Sequence, residues 1–145
     1  MEMVLFIGIP ASGKSSFFKE RFLNTHIRVN RDMLKTQRRE ALLINACLEG
    51  KTKFVIENTN LTRALRAQYI VLAKQAQFSV VGYHFESPPL DAVNRNKLRR
   101  EEERVPTVAI WAANKRLEVP AREEGFDKLY RVRMNQPSGF SVDEF

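Results

Sequence analysis

Gly8-Ile9-Pro10-Ala11-Ser12-Gly13-Lys14-Ser15 fits the pattern G-x-x-x-x-G-K-[ST] in full. Before it, Met3-Val4-Leu5-Phe6-Ile7 is a continuous apolar run too short for a helix, which reads as a strand buried on both faces. After it, from Lys14 to Leu23, the pattern is helical, with Phe17, Phe18, Phe22 and Leu23 available to cover a sheet. In that setting the glycines let backbone N–H groups turn inward around phosphate oxygens at a helix N-terminus. Lys14 then bridges the β- and γ-phosphates of ATP, and the Ser15 hydroxyl ligates Mg2+.

The rest of the chain repeats the alternation. Short strands are expected at His26–Val29, Lys53–Ile56, Phe78–Phe85 and Lys128–Arg133. Helices are expected from Arg31 to Leu48, capped by Asn30 and stopped at Gly50, from about Thr62 to Gln75, after Pro88-Pro89, and from Pro106 to about Leu117. The helix after Pro88-Pro89 carries Leu90, Val93 and Leu98 and leads into a dense charged stretch, Lys97 to Arg104. The pattern predicts an α/β three-layer sandwich around a mostly parallel five-stranded sheet, with ligands at the carboxyl ends of the strands and a basic helical lid. Residues 1–134 are expected to form this domain, and 135–145, which bear Pro, Ser and Gly, a partly disordered tail.

Composition narrows the class further. The chain has 145 residues, 43% hydrophobic, which suits one domain with one core. A net charge of +7 favours anionic partners without choosing among nucleic acid, nucleotide and anionic membrane. The single cysteine, Cys47, forms no internal disulfide and reads as a buried thiol. No apolar run reaches the about 18 to 20 residues of a membrane span, so a soluble, cytoplasmic protein is expected.

Further loops should open onto the same crevice. After the second strand, Asp32 falls in the first helical turn, where a carboxylate can accept the proton of an attacking hydroxyl while Lys35, Arg38 and Arg39 hold acceptor phosphates. The same residues also fit a plain helix N-terminus with a solvated cationic face. Glu57-Asn58-Thr59-Asn60 puts an acid at the end of the third strand, beside the phosphate loop, or simply makes a capped turn. Arg95 and Arg99 lie four apart, as on one face of a lid helix that could close on phosphates; a helix laced by pairs such as Arg99 with Glu103 is the plainer alternative.

Together these stretches resemble the kinase domain of the polynucleotide 5′-hydroxyl kinases, phage and eukaryotic, over nearly all of residues 3 to 133. The resemblance rests on GIPASGKSS at 8–16, VNRD at 29–32, a carboxylate-N-T-N run at 57–60, RNKLR at 95–99 with Val105-Pro106 beyond it, and EGF at 124–126. It implies ATP and Mg2+ as cofactors and a 5′-hydroxyl end of DNA or RNA as acceptor. By position, Gly8, Ser12, Gly13, Lys14, Ser15 and Ser16 look like the ATP loop, with Ser15 on the metal. Asp32 resembles the general base, Arg99 the lid arginine on the transferring phosphate, and Arg95 a second donor-side contact. Lys35, Arg38, Glu57, Thr59 and Asn60 fall on the acceptor side. Lys35 stands where the phage enzymes carry an arginine, Glu57 where the family usually has aspartate, and Glu101 to Glu103 make the lid unusually acidic. At this length the chain has no room for the phosphatase domain of many relatives, and a kinase alone is expected.

Two other readings keep the phosphate loop. One is a kinase acting on a nucleoside or other small-molecule hydroxyl, and the other is a non-enzymatic ATP-dependent nucleic-acid-binding module. His26 and His84 have no partner at metal or triad spacing and read as ordinary strand-end residues. Trp111 reads as a packing anchor that could instead stack on a base.

Overall fold

The computed structural model describes residues 1–135 and 139–145. Strands β1 (Glu2–Ile7), β2 (Ile27–Val29), β3 (Phe54–Ile56), β4 (Ser79–Phe85), β5 (Lys128–Met134) and β6 (Phe140–Glu144) form one sheet in the order β2-β3-β1-β4-β5-β6. All neighbours are parallel except β5 and β6. The connecting helices are α1 (Lys14–Arg21), α2 (Arg31–Leu34), α3 (Gln37–Glu49), α4 (Arg63–Gln75), α5 (Pro89–Lys97) and α6 (Thr107–Arg116).

The period-2 alternation of β1 divides the core. Met3, Leu5 and Ile7 face Ile44 and Cys47 of α3 and Ile70 and Ala73 of α4, whereas Val4 and Phe6 face Phe17 and Phe18 of α1. Phe17 meets the rings of Phe6, Phe85 and Phe140 at 5.7, 5.3 and 5.1 Å between centroids, and such pairs add about 0.5 to 1.5 kcal/mol each beyond area burial. Ile9, Leu61, Val93 and Ile110 make a smaller cluster that seats α5 and α6 at the end of the sheet where the phosphate loop lies.

The structure differs from expectation in three places. The helix expected from Arg31 to Leu48 is broken into α2 and α3. Lys35 adopts φ 74°, and the Thr36 side chain caps the second helix by accepting from the Arg39 N–H at 3.1 Å. The charged lid is less helical than expected. α5 stops at Lys97, Glu101–Glu103 form a single 3-10 turn, and Arg95 and Arg99 therefore do not share a helix face. Asn96 brings this about by donating to the Val105 carbonyl at 2.7 Å and accepting from its N–H at 3.1 Å, which closes the segment into a loop. Leu98, beyond the helix end, is 87% exposed and covers no core.

Third, the tail, expected to be partly disordered, contains a sixth strand. Phe140 and Val142 alternate inward onto the α1 face of the sheet, giving β6 enough apolar contact to extend it antiparallel on β5. Residues 136–138 of that tail lie outside the described residues. Among the described residues no helix is long and apolar enough to cross a membrane.

Candidate active site

The phosphate loop leaves the centre of the sheet and turns directly into α1. Gly13 sits at φ 99°, a left-handed conformation, and a Cβ there would come within 2.9 Å of Met134 Sδ and 3.2 Å of Phe140. The Gly8 N–H donates to the Thr59 carbonyl at 3.0 Å, tying the loop to residues 57–60. Lys14 turns its ammonium inward, donating to the carbonyls of Gly8 at 2.9 Å and Ile9 at 2.6 Å. Burial pulls its pKa down to about 7; Glu57 and Asp32 oppose that shift and Arg99 adds to it. Charges from three separate segments, at Glu57, Arg99 and Asp32, thus act on one ammonium.

Ser15 donates its hydroxyl proton to Glu57 Oε1 at 2.6 Å. The other Glu57 oxygen accepts from Arg28 Nε, and Arg28 Nη2 donates to Ser15 Oγ at 3.3 Å. Glu57, expected among the acceptor contacts, therefore lies against the serine of the phosphate loop. Its carboxylate and the Ser15 hydroxyl are hard oxygen donors, suited to a Mg2+ that takes its remaining ligands from phosphates and water. Among the described residues no group of three or more acidic, His or Cys side chains is placed to hold a metal ion by itself.

The segment that carries Asp32 is held by a buried carboxylate that sequence reasoning passed over. Glu40 accepts from Arg31 Nε and Nη2 at 3.0 Å each, from the Tyr69 hydroxyl at 2.6 Å and from Asn58 Nδ2 at 3.0 Å. Burial would raise its pKa, but these hydrogen bonds outweigh it and hold the carboxyl below its ordinary value. Asn58 Oδ1 in turn accepts the Arg31 N–H at 2.9 Å, and Asn30 caps α2 through Met33 N at 3.0 Å while donating to the Glu57 carbonyl at 3.0 Å. This lattice fixes the short helix that carries Asp32, whose exposed side chain lines the cleft.

Behind residues 57–61, Arg66 is fully buried. It donates to the carbonyls of Asn60 at 3.0 Å and Leu61 at 3.2 Å and forks onto Glu124 at 2.8 and 2.9 Å. Asn60, at φ 46°, spends its side-chain amide on the Phe6 carbonyl at 2.7 Å, so it shapes the loop although it also borders the cleft.

Over the phosphate loop, Arg95 donates through Nε to the Ala11 carbonyl at 2.8 Å and through Nη2 to Ser87 Oγ. Arg99 lines the cleft and makes no ion pair among the described residues. The cleft measures about 560 Å³, and of the candidate residues Gly13, Lys14, Ser15, Ser16, Asp32, Glu57, Thr59, Asn60, Arg95 and Arg99 line it. Gly8 and Ser12 are buried within the loop and do not line the cleft, and Lys35 and Arg38 are exposed outside the lining. Leu65, Tyr69 and Met134 line it as well, without having been foreseen. Past Arg95 and Met134 a second hollow of about 430 Å³ continues between Pro88 and Arg133.

His26 pairs with Glu2 at 3.0 Å. His84 is buried, and both its ring nitrogens lack a hydrogen-bond partner among the described residues. Trp111, expected as a packing anchor, is 47% exposed on α6.

A family model described as an AAA domain, AAA_33, matches residues 3–120, from the first strand through the lid and α6. The chain belongs to this family. Its fold is that of the P-loop kinases. Among curated proteins it is 29% identical over 135 residues to a bifunctional polynucleotide phosphatase/kinase of Schizosaccharomyces pombe. It is 36% identical over 139 residues to a putative bifunctional polynucleotide phosphatase/kinase of Acanthamoeba polyphaga mimivirus. Each match takes in 90% of this chain and 33% of the relative, so the chain spans about a third of the length of these proteins. Among solved structures, Kti12 of Chaetomium thermophilum in complex with ADP-AlF3 superposes with a TM-score of 0.68 at 17% identity, over 90% of this chain and 88% of that one.

Proposed function

We propose that this domain transfers the γ-phosphate of ATP to the 5′-hydroxyl end of DNA or RNA. The observation that carries this reading is the convergence of Lys14, Asp32 and Arg99 on one cleft. The names of the two curated relatives support the choice of acceptor.

In this reading the phosphates of ATP lie along Gly8–Ser15, with the base toward the hollow between Pro88 and Arg133. Lys14 leaves its loop carbonyls for the β- and γ-phosphates, and Arg99 neutralises charge that develops on the γ-phosphoryl oxygens. Bound Mg2+ beside Ser15 and Glu57 would supply further charge neutralisation. Asp32 accepts the acceptor's hydroxyl proton as the oxygen bonds to the γ-phosphorus and the bond to the ADP oxygen breaks. Glu40 keeps the Asp32 turn in place through Arg31.

The test is transfer of labelled γ-phosphate from ATP to a panel of 5′-hydroxyl DNA, 5′-hydroxyl RNA, nucleosides and simple sugars, with Asp32→Asn as control. Labelling of oligonucleotides alone, reduced by about 10² or more in Asp32→Asn, is the expected result. Labelling of nucleosides or sugars in preference would replace the acceptor assignment. Loss of all transfer with ATP binding retained would favour a binding module.

A further inference from the structure

Arg28 belongs to none of the stretches that foretold the site, yet it touches the oxygens expected to hold the metal. Its Nε donates to one Glu57 oxygen and its Nη2 to Ser15 Oγ at 3.3 Å, while Ser15 itself donates to the other Glu57 oxygen at 2.6 Å. One guanidinium therefore spans the hydroxyl and the carboxylate. The Glu57 side chain is 2% exposed and that of Arg28 27%, so water screens the contact only from one side. The arginine is held there independently of Glu57: its carbon lies 5.5 Å from the Phe18 ring centroid, and Nη1 reaches Met33 Sδ at 3.3 Å. Lys14 does not share the task, since its ammonium is taken up by the carbonyls of Gly8 and Ile9.

We infer that Arg28 is a positioning residue that competes with the divalent cation for the Ser15–Glu57 pair and so sets the metal concentration at which the site fills. The inference rests on the nucleotide-and-metal reading above and adds a determinant of metal demand to it. The reason is electrostatic. A cation on the remaining lone pair of Ser15 Oγ would sit beside the guanidinium that already donates to that oxygen, and a cation drawn to Glu57 meets a carboxylate already partly neutralised by the same guanidinium. Two positive groups that favour one carboxylate weaken each other's binding, and the coupling is reciprocal. Arginine suits this better than lysine, because its planar fork reaches two acceptors at once.

The test uses the full chain with ADP and follows Mn2+ binding through the electron-paramagnetic-resonance signal of the free ion, with ADP affinity in EDTA measured alongside. Arg28→Gln should bind Mn2+ about fivefold to tenfold more tightly in the presence of ADP, with metal-free ADP affinity unchanged. Arg28→Lys keeps the charge and the stem over Phe18 but loses the fork, and it should tighten Mn2+ by a smaller factor. Arg28→Lys carries the test if Arg28→Gln does not fold. Unchanged or weaker Mn2+ binding in a folded variant that still binds ADP would overturn the competition and leave Arg28 as a prop for Glu57. Wild-type protein that binds no Mn2+ with ADP would overturn the nucleotide-and-metal reading along with it, a failure visible before any variant is made.

Discussion

Arg31 forks onto both carboxylate oxygens of Glu40, at 3.0 Å each, and Tyr69 from a different helix donates to the same carboxylate at 2.6 Å. Glu40→Ala would leave that guanidinium, the phenol and the Asn58 amide without their shared acceptor. The Glu40 side chain is 4% exposed and that of Arg31 41%, so the loss falls at or below the lower end for a broken buried pair, about 2 to 3 kcal/mol. Urea unfolding checks the stability. In the kinase assay the variant should raise the KM for the oligonucleotide more than that for ATP, because Arg31 adjoins Asp32 and not the phosphate loop.

Arg99→Ala should lower kcat by about 10² or more with little change in the KM for ATP, since its guanidinium is assigned to charge formed during transfer. Arg100 is 76% exposed and pairs outward with Glu102 and Glu103, so Arg100→Ala should leave kcat within about twofold. Steady-state kinetics of the two variants side by side separate a defined catalytic role from a general basic surface.

Lys35 holds φ 74° with ψ −37°, a conformation that side chains with a Cβ rarely adopt. Lys35→Gly should raise the stability by about 0.5 to 1 kcal/mol, the relief of strain exceeding the entropy that glycine adds to the unfolded chain. The urea midpoint should rise without a change in slope.

His84 gives the fold a pH dependence. Burial pulls its pKa down to about 4, opposed by Glu86 and assisted by Arg131 and Arg66. The unfolded chain takes up this proton near pH 6.5 and the folded chain only near pH 4, so stability is full above the first value and falls as the pH drops between them. The loss is at most about 3 kcal/mol. His84→Leu should flatten the window between about pH 6.5 and 4.5 in urea titrations, leaving the steeper loss at lower pH from carboxylates such as Glu40 and Glu124, whose pKa values arginines hold down.

The frame and the phosphate loop were legible because their signals are local: an apolar run, a glycine pattern, then an amphipathic helix. The supports of the site were not, because their partners lie far along the chain, as with Arg28 and Glu57 or Arg66 and Glu124. Their spacing still held a clue. Glu40, Ile44 and Cys47 are the buried residues of α3, and Arg66, Ile70 and Ala73 those of α4. In each helix a charged residue occupies the first position of an i, i+4, i+7 apolar face, where solvent exposure would break the pattern. The lid was misjudged for the opposite reason. Its charges looked continuous with α5, and only the Asn96–Val105 hydrogen bonds, invisible to periodicity, end the helix at Lys97.

The sheet order places β1 between β3 and β4, which follow it by about fifty and eighty residues in the chain. A ribosome therefore makes this strand, buried at five of its six residues, well before either neighbour that will cover its edges. During that interval Met3–Ile7 is a short, uncharged, strand-prone segment of the kind that pairs with other chains. Refolding from denaturant, in which all strands are present at once, should accordingly give a higher yield of native protein than synthesis at high rate, and a holdase chaperone supplied during synthesis should narrow the difference.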